Sequence, residues 1–147
     1  MVESIIDKSR TTNIELEKLA QQFKINLNGI YTKDMLKHVI PRKGGYIINM
    51  QDSNDGNGTH WLAVYNDIDN GKHISLYFDS FGIVPPYEVI DFMAKWSKYA
   101  IYSEKQIQNV KFGGCGNYCL HFLRCMQFCK GSPRKKYYTF INKYDSE

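Results

Sequence analysis

Apolar positions change their period several times along this chain, and each change marks an element. Leu16, Leu19, Ala20 and Phe23 recur at helical spacing behind a Thr12/Glu15 capping box, which predicts an amphipathic helix over 12–23. Thr32 caps a short second helix that Pro41 stops, and Gly44-Gly45 releases a strand from Tyr46 to Met50. Gln51 to Thr59, rich in Gly, Asn and Asp, reads as a loop. Two strand-like runs follow, His60 to Asn66 and His73 to Asp79, with Asp67 to Lys72 and its Asn70-Gly71 pair turning between them.

Pro85-Pro86 leads into a helix with Val89, Ile90, Met93 and Trp96 on one side. A short strand pair around Tyr99 to Tyr102 and Gln106 to Gln108 precedes an apolar helix that starts at Cys115 and ends at Gly131-Ser132-Pro133. A basic, aromatic tail closes the chain. Helices flanking a central mixed sheet make the expected class α+β, a single domain over 1–147 without internal repeats.

Composition narrows the picture. With 147 residues, 43% hydrophobic and 23% charged, the chain has material for one core and none of the signs of disorder. No apolar run approaches the roughly 20 residues that span a bilayer, and the N-terminus lacks a signal-peptide pattern, so a soluble intracellular protein is expected. All four cysteines, Cys115, Cys119, Cys125 and Cys129, crowd one stretch instead of being scattered to close long loops, which fits a reducing compartment. The net charge of +4 is mild. Arg134, Lys135 and Lys136, beside Tyr137 and Tyr138, form a candidate patch for weak nucleic-acid binding, or else a solvated helix end.

Candidate chemistry gathers at three places. In the hairpin, one turn register sets His60 opposite Asp79, whereas centring the turn on Asn70-Gly71 sets it opposite Phe81 with Asp79 on the diagonal. Both registers keep the pair on one face, their side-chain roots roughly 4.5–8 Å apart. A carboxylate there can hold one imidazole nitrogen and aim the other outward. Cys115 begins a helix, where free N–H groups and the helix dipole favour a thiolate. Gly114 and Gly116 clear space around it for a substrate carbonyl. The Cys115 N–H and the Gln108 amide are natural oxyanion donors. A thiol, a base, its orienter and oxyanion donors are the parts of a cysteine hydrolase. Trp61 serves either as a wall beside the site or as a core residue.

A metal site built from the four cysteines and His121 fails on length. Cys115 and Cys129 stand about 21 Å apart along one helix, whereas zinc holds its thiolates at roughly 2.3 Å. Cys119, Cys125 and Cys129 are read as small apolar residues on the buried face. His38, His73 and His121 are read as structural or surface residues.

These motifs, with Asn28-Gly-Ile-Tyr-Thr-Lys33 and Gly44-Gly-Tyr-Ile-Ile-Asn49 upstream, resemble the adenovirus-type maturation proteases, relatives of the ubiquitin-like-protein-specific cysteine proteases. The likeness covers roughly residues 14–130. It implies a mixed sheet packed by helices with the nucleophile at the start of a central helix. It also implies Cys115 as nucleophile, His60 as base, Asp79 as its orienter and Gln108 as oxyanion donor, with Trp61, Gly114 and Gly116 against the substrate. The small size resembles proteases of virophages and related double-stranded DNA viruses. The resemblance therefore implies a monomeric endopeptidase that trims capsid precursors in the virion or the host-cell interior, without metal or membrane.

Two departures stand out. The third member is Asp79, as in the ubiquitin-like branch, where adenovirus enzymes carry glutamate. No cysteine precedes Cys115, and Ser97 stands near the place of the cysteine that holds an activating peptide by a disulfide. Activation through a disulfide-linked peptide is therefore not expected; the sequence requires no cofactor and leaves open a peptide or DNA activator bound non-covalently. Removal of ubiquitin-like modifiers, and protein acyl transfer with the same triad, are the rival activities. A non-catalytic basic binding module is the rival from another class.

Overall fold

A computed structural model describes residues 13–51, 60–107 and 115–144, and within them five strands form one mixed sheet. In chain order the elements are α1 (Asn13–Gln22), β1 (Leu27–Thr32), a 3-10 helix (Lys33–His38), β2 (Gly44–Asn49), β3 (Trp61–Asp69) and β4 (Lys72–Phe78). Then come α2 (Tyr87–Trp96), β5 (Ala100–Ile101), α3 (Cys115–Phe128) and α4 (Pro133–Asn142). The strands lie in the order β1-β2-β3-β4-β5, antiparallel across β2, β3 and β4 and parallel at both edges. The α+β class with a helix-packed mixed sheet stands.

The strand period of two divides the core cleanly. Trp61, Ala63 and Tyr65 of β3 join Ile47, Ile74, Leu76 and Phe78 on one face, under α1, α3 and α4. Leu62 and Val64 join Tyr46, Ile48 and Tyr77 on the other, where Leu36 and the α2 residues Val89, Phe92 and Met93 cover them. Burial on both faces explains why these strands read as nearly unbroken apolar runs. A slip of one residue would send every one of these side chains to the wrong layer, at about 1.5–3 kcal/mol for each large side chain left unburied, so the register is firmly set.

The hairpin closes on Asn70-Gly71. Asp69 pairs with Lys72, and the two turn residues take φ of 53° and 78°, as a two-residue primed turn demands. Of the two registers open to the sequence, this is the one that aligns His60 with Phe81.

Several local expectations change. Leu27–Thr32 is an edge strand that the hydrophobic pattern did not predict, because its side chains are all half-buried and an irregularity between Leu27 and Gly29 breaks the alternation. The expected strand pair near Tyr99 reduces to β5, which pairs with β4 at Ser75 and Leu76. Gln106 and Ile107 form no strand, and Gln108 lies outside the described residues, as does the Thr12 cap.

On α2 the buried stripe is Val89, Phe92 and Met93. Ile90 is exposed, and the half-buried Trp96 turns its indole N–H to the carbonyls of Asp67 and Ile74. The basic tail is a helix, N-capped by Ser132 with Pro133 in its first turn, and it buries Tyr137, Phe140 and Ile141. Of the cysteines expected on the buried face, Cys119 is there, Cys125 is half-buried, and Cys129, one residue past the end of α3, is exposed. Among the described residues no helix is long and apolar enough to cross a membrane.

Candidate active site

His60 and Asp79 meet at the open end of the hairpin. The His60 Nε2 stands 2.8 Å from the Asp79 Oδ1, with the carboxylate wholly buried and the imidazole 12% exposed. Each side is fixed by its neighbours. The Met50 N–H bonds the His60 carbonyl at 3.0 Å, tying the start of β3 to the end of β2. The imidazole lies on the Phe81 ring, centroids 4.3 Å apart and planes 7° from parallel. Nε2 is held by the carboxylate, and Nδ1 lies on the opposite side of the ring from that bond.

Asp79 is itself held in a tight turn. Its Oδ1 also accepts the Phe81 N–H at 2.8 Å, and its carbonyl accepts the Gly82 N–H at 2.9 Å. The Tyr77 hydroxyl adds a long 3.5 Å bond to Oδ2. Burial above all, then the charge of Asp79, pushes the Tyr77 phenol well above its ordinary range, so it stays a neutral donor. Gly82 closes the turn with φ of 73°, and a Cβ there would lie 2.4 Å from the Glu104 carbonyl oxygen. The turn therefore packs directly on the 102–107 segment, and the Ile107 N–H donates to the Ser80 carbonyl at 2.8 Å. The residue just ahead of Gln108 is anchored to the turn that holds Asp79.

Cys115 is the first residue of α3, the helix that packs across β3 on the face opposite α2. Its backbone N–H is thus among those that the helix leaves unbonded. The Cys115 side chain, Gln108 and Gly114 lie outside the described residues. Gly116 is buried in the first turn. Trp61, 5% exposed, sits in the core layer that also contains Cys119 and Leu120 of α3. The structure thus brings His60 and Asp79 into contact and places Trp61 beneath the helix that begins with Cys115.

One contributor escaped the sequence reading. The Tyr137 hydroxyl of α4 donates to the Tyr77 carbonyl at 2.6 Å, fully buried, two residues before Asp79 and beyond the reach of β5. The aromatic spacing of Tyr137, Phe140 and Tyr144 was the available signal, hidden among lysines.

The candidate nucleic-acid residues fall on the first turn of α4. Arg134 Nε lies 3.9 Å from Asp69, and the Lys136 ammonium donates to the Met126 carbonyl at 3.0 Å. His73 stacks on Trp96, whereas His38 and His121 face solvent. Among the described residues no three His, Cys, Asp or Glu side chains gather as a metal would require.

No protein-family model and no curated protein matches this chain. Solved structures do. The ASFV pS273R protease superposes with a TM-score of 0.60 at 18% identity, over 94% of this chain and 62% of that one. A second crystal structure of the same protease gives 0.52 at 16% identity, over 90% and 68%. AvrA gives 0.49 at 15% identity, over 85% of this chain and 50% of that one, too loose a likeness to argue from. The chain spans less than two thirds of the first protease's length, and at these identities the shared property is the fold: the five-stranded mixed sheet and its helices are arranged as in the ASFV protease.

Proposed function

We propose that this protein is a cysteine endopeptidase, with Cys115 as nucleophile, His60 as general base and acid, Asp79 as the orienter of His60, and Gln108 as an oxyanion donor. The observation that carries the reading is the 2.8 Å bond from His60 to a buried carboxylate, at the end of the strand over which the Cys115 helix packs. The fold likeness to a protease supports it.

In this reading the Cys115 thiol gives its proton to His60 Nδ1, and the thiolate attacks a peptide carbonyl. The oxyanion is met by the Cys115 N–H and the Gln108 amide. His60 returns the proton to the leaving amine, and the thioester is then hydrolysed by a water that His60 deprotonates. Asp79 holds the ring in place and stabilises the transient imidazolium. Gly114, Gly116 and Trp61 are assigned to the substrate side by the family resemblance, and small residues, glycine foremost, are expected at the scissile bond. The finer reading is an adenovirus-type maturation enzyme acting on viral capsid precursors, and it rests on the ordered motif set together with the likeness to a viral protease.

The test is cleavage of a peptide library, with and without DNA or candidate activating peptides, read by mass spectrometry. Cleavage beside glycine is expected, lost in Cys115→Ala and reduced on the order of a thousandfold or more in His60→Ala. Equal cleavage by wild type and Cys115→Ala would sink the reading. Turnover confined to ubiquitin- or SUMO-type conjugates, or dependent on an acetyl donor, would keep the triad and replace the endopeptidase.

A further inference from the structure

α3 ends on two thiols that the proposed chemistry does not use. The Sγ atoms of Cys125 and Cys129 stand 3.1 Å apart, and the Cys129 N–H bonds the Cys125 carbonyl at 2.9 Å, so a regular helical turn holds the pair on one face. Side-chain roots at this spacing lie about 5–6 Å apart. A disulfide brings them to roughly 3.5–4.5 Å, so closure asks the turn to tighten by about 1–2 Å. Cys129 lies one residue past the end of α3, so the pair spans a helix terminus, where the last turn tightens to shorter-range bonding more readily than the interior does. The two thiols also differ in access. Cys129 is exposed and Cys125 half-buried behind it.

We propose that Cys125 and Cys129 form a reversible thiol–disulfide pair, oxidised by low-molecular-weight disulfides of the glutathione class and reopened by thiols. The Cys129 thiolate attacks the small disulfide, forming a mixed disulfide and expelling one thiolate. Cys125 then loses its proton and attacks the Cys129 sulfur, expelling the second. Two protein thiols are oxidised to one disulfide, one small disulfide is reduced to two thiols, and the two protons end on the departing thiolates.

The order of attack follows from the surroundings. Burial, then the hydrogen bond and charge of Cys129, push the Cys125 thiol up to about 12, so Cys125 does not start the reaction. The two contributions of Cys129 vanish once it is capped, while Lys143 and Lys136 continue to favour the Cys125 thiolate. A bond closed against helical geometry is readily reduced, which makes the pair responsive to redox conditions.

The same turn carries a clamp. Gln127 accepts the Asn26 N–H at 2.7 Å and donates to the Lys24 carbonyl at 3.1 Å, holding the connection between α1 and β1. Tightening the turn displaces Gln127, so oxidation reaches that connection. None of this depends on the peptidase reading.

The reduced full-length chain is treated with glutathione disulfide, and each cysteine is mapped by mass spectrometry. An internal Cys125–Cys129 disulfide is expected, reversed by dithiothreitol, with a stable glutathione adduct on Cys129 in Cys125→Ser. Hydrogen exchange at the Asn26 amide should quicken on the order of two- to tenfold in the oxidised chain. A lasting glutathione adduct on wild-type Cys129 beside a free Cys125 overturns the pair, as does a chain in which both stay thiols. A disulfide that leaves Asn26 exchange unchanged overturns the link to the connection.

Discussion

The His60 imidazole lies flat on Phe81, 4.3 Å between centroids and 7° from parallel, while its edge meets Asp79 at 2.8 Å. One contact fixes the plane of the ring and the other fixes its rotation within that plane. Both partners come from the same turn, because the Phe81 N–H is bound to the very oxygen of Asp79 that His60 reaches.

Removing the stack should therefore loosen the base without removing it. In Phe81→Ala the loss of an aromatic pair worth about 0.5–1.5 kcal/mol predicts a fall in kcat/KM of roughly two- to twelvefold. Phe81→Tyr should restore most of it. Equal activity in wild type and Phe81→Ala would show that Asp79 alone orients the ring.

Asp79→Asn keeps the size of the side chain and removes its charge. A hydrogen bond to a charged group is worth about 1.5–3 kcal/mol, which predicts a loss of roughly ten- to 150-fold in kcat/KM, carried mainly by kcat. Steady-state kinetics on a cleaved peptide decide this. A change confined to KM would assign Asp79 to substrate binding.

Gly82 has no tolerable replacement. Alanine would take φ of 73° and drive its Cβ to 2.4 Å from the Glu104 carbonyl oxygen. The expected cost is about 1–3 kcal/mol in urea unfolding. Activity should fall further than stability, because the displaced 102–107 segment leads into Gln108.

Tyr137→Phe leaves the buried Tyr77 carbonyl without its hydroxyl donor, at about 1–3 kcal/mol. Unfolding midpoints measure the cost. The reduction in activity should exceed that of Tyr138→Phe, since Tyr138 is exposed and bonds nothing in the Asp79 turn.

Alkaline pH offers a readout independent of activity. Burial raises the phenols of Tyr77 and Tyr137 well above the ordinary value of 10.0. Above that value the unfolded chain releases protons that the folded chain keeps, so stability is intact below about pH 10 and declines as the pH rises beyond it. Absorbance at 295 nm should show exposed tyrosines ionising first, and a late group appearing only with unfolding. A single transition accounting for all tyrosines would contradict the buried hydroxyls.

The sequence by itself determined the alternation of β2, β3 and β4, a hairpin turning within Asp67 to Lys72, and the placing of His60 and Asp79 on one face. Each follows from local rules: a period of two, a turn that needs positive φ, and pairing at short separation. It also marked Cys115 as a helix start, since two glycines before an apolar run leave few other readings. What lay beyond it were features with no local signature. β1 is a strand because β2 offers it an edge, and Ile107 is bonded to Ser80 where a strand pair was expected. The basic tail is a helix because Tyr137, Phe140 and Ile141 find a sheet to cover. Tertiary structure alone chose between the two hairpin registers for His60, setting the imidazole against Phe81 with the carboxylate on the diagonal. Contacts of this kind depend on which surface arrives from elsewhere in the chain, and no window of neighbouring residues contains that information.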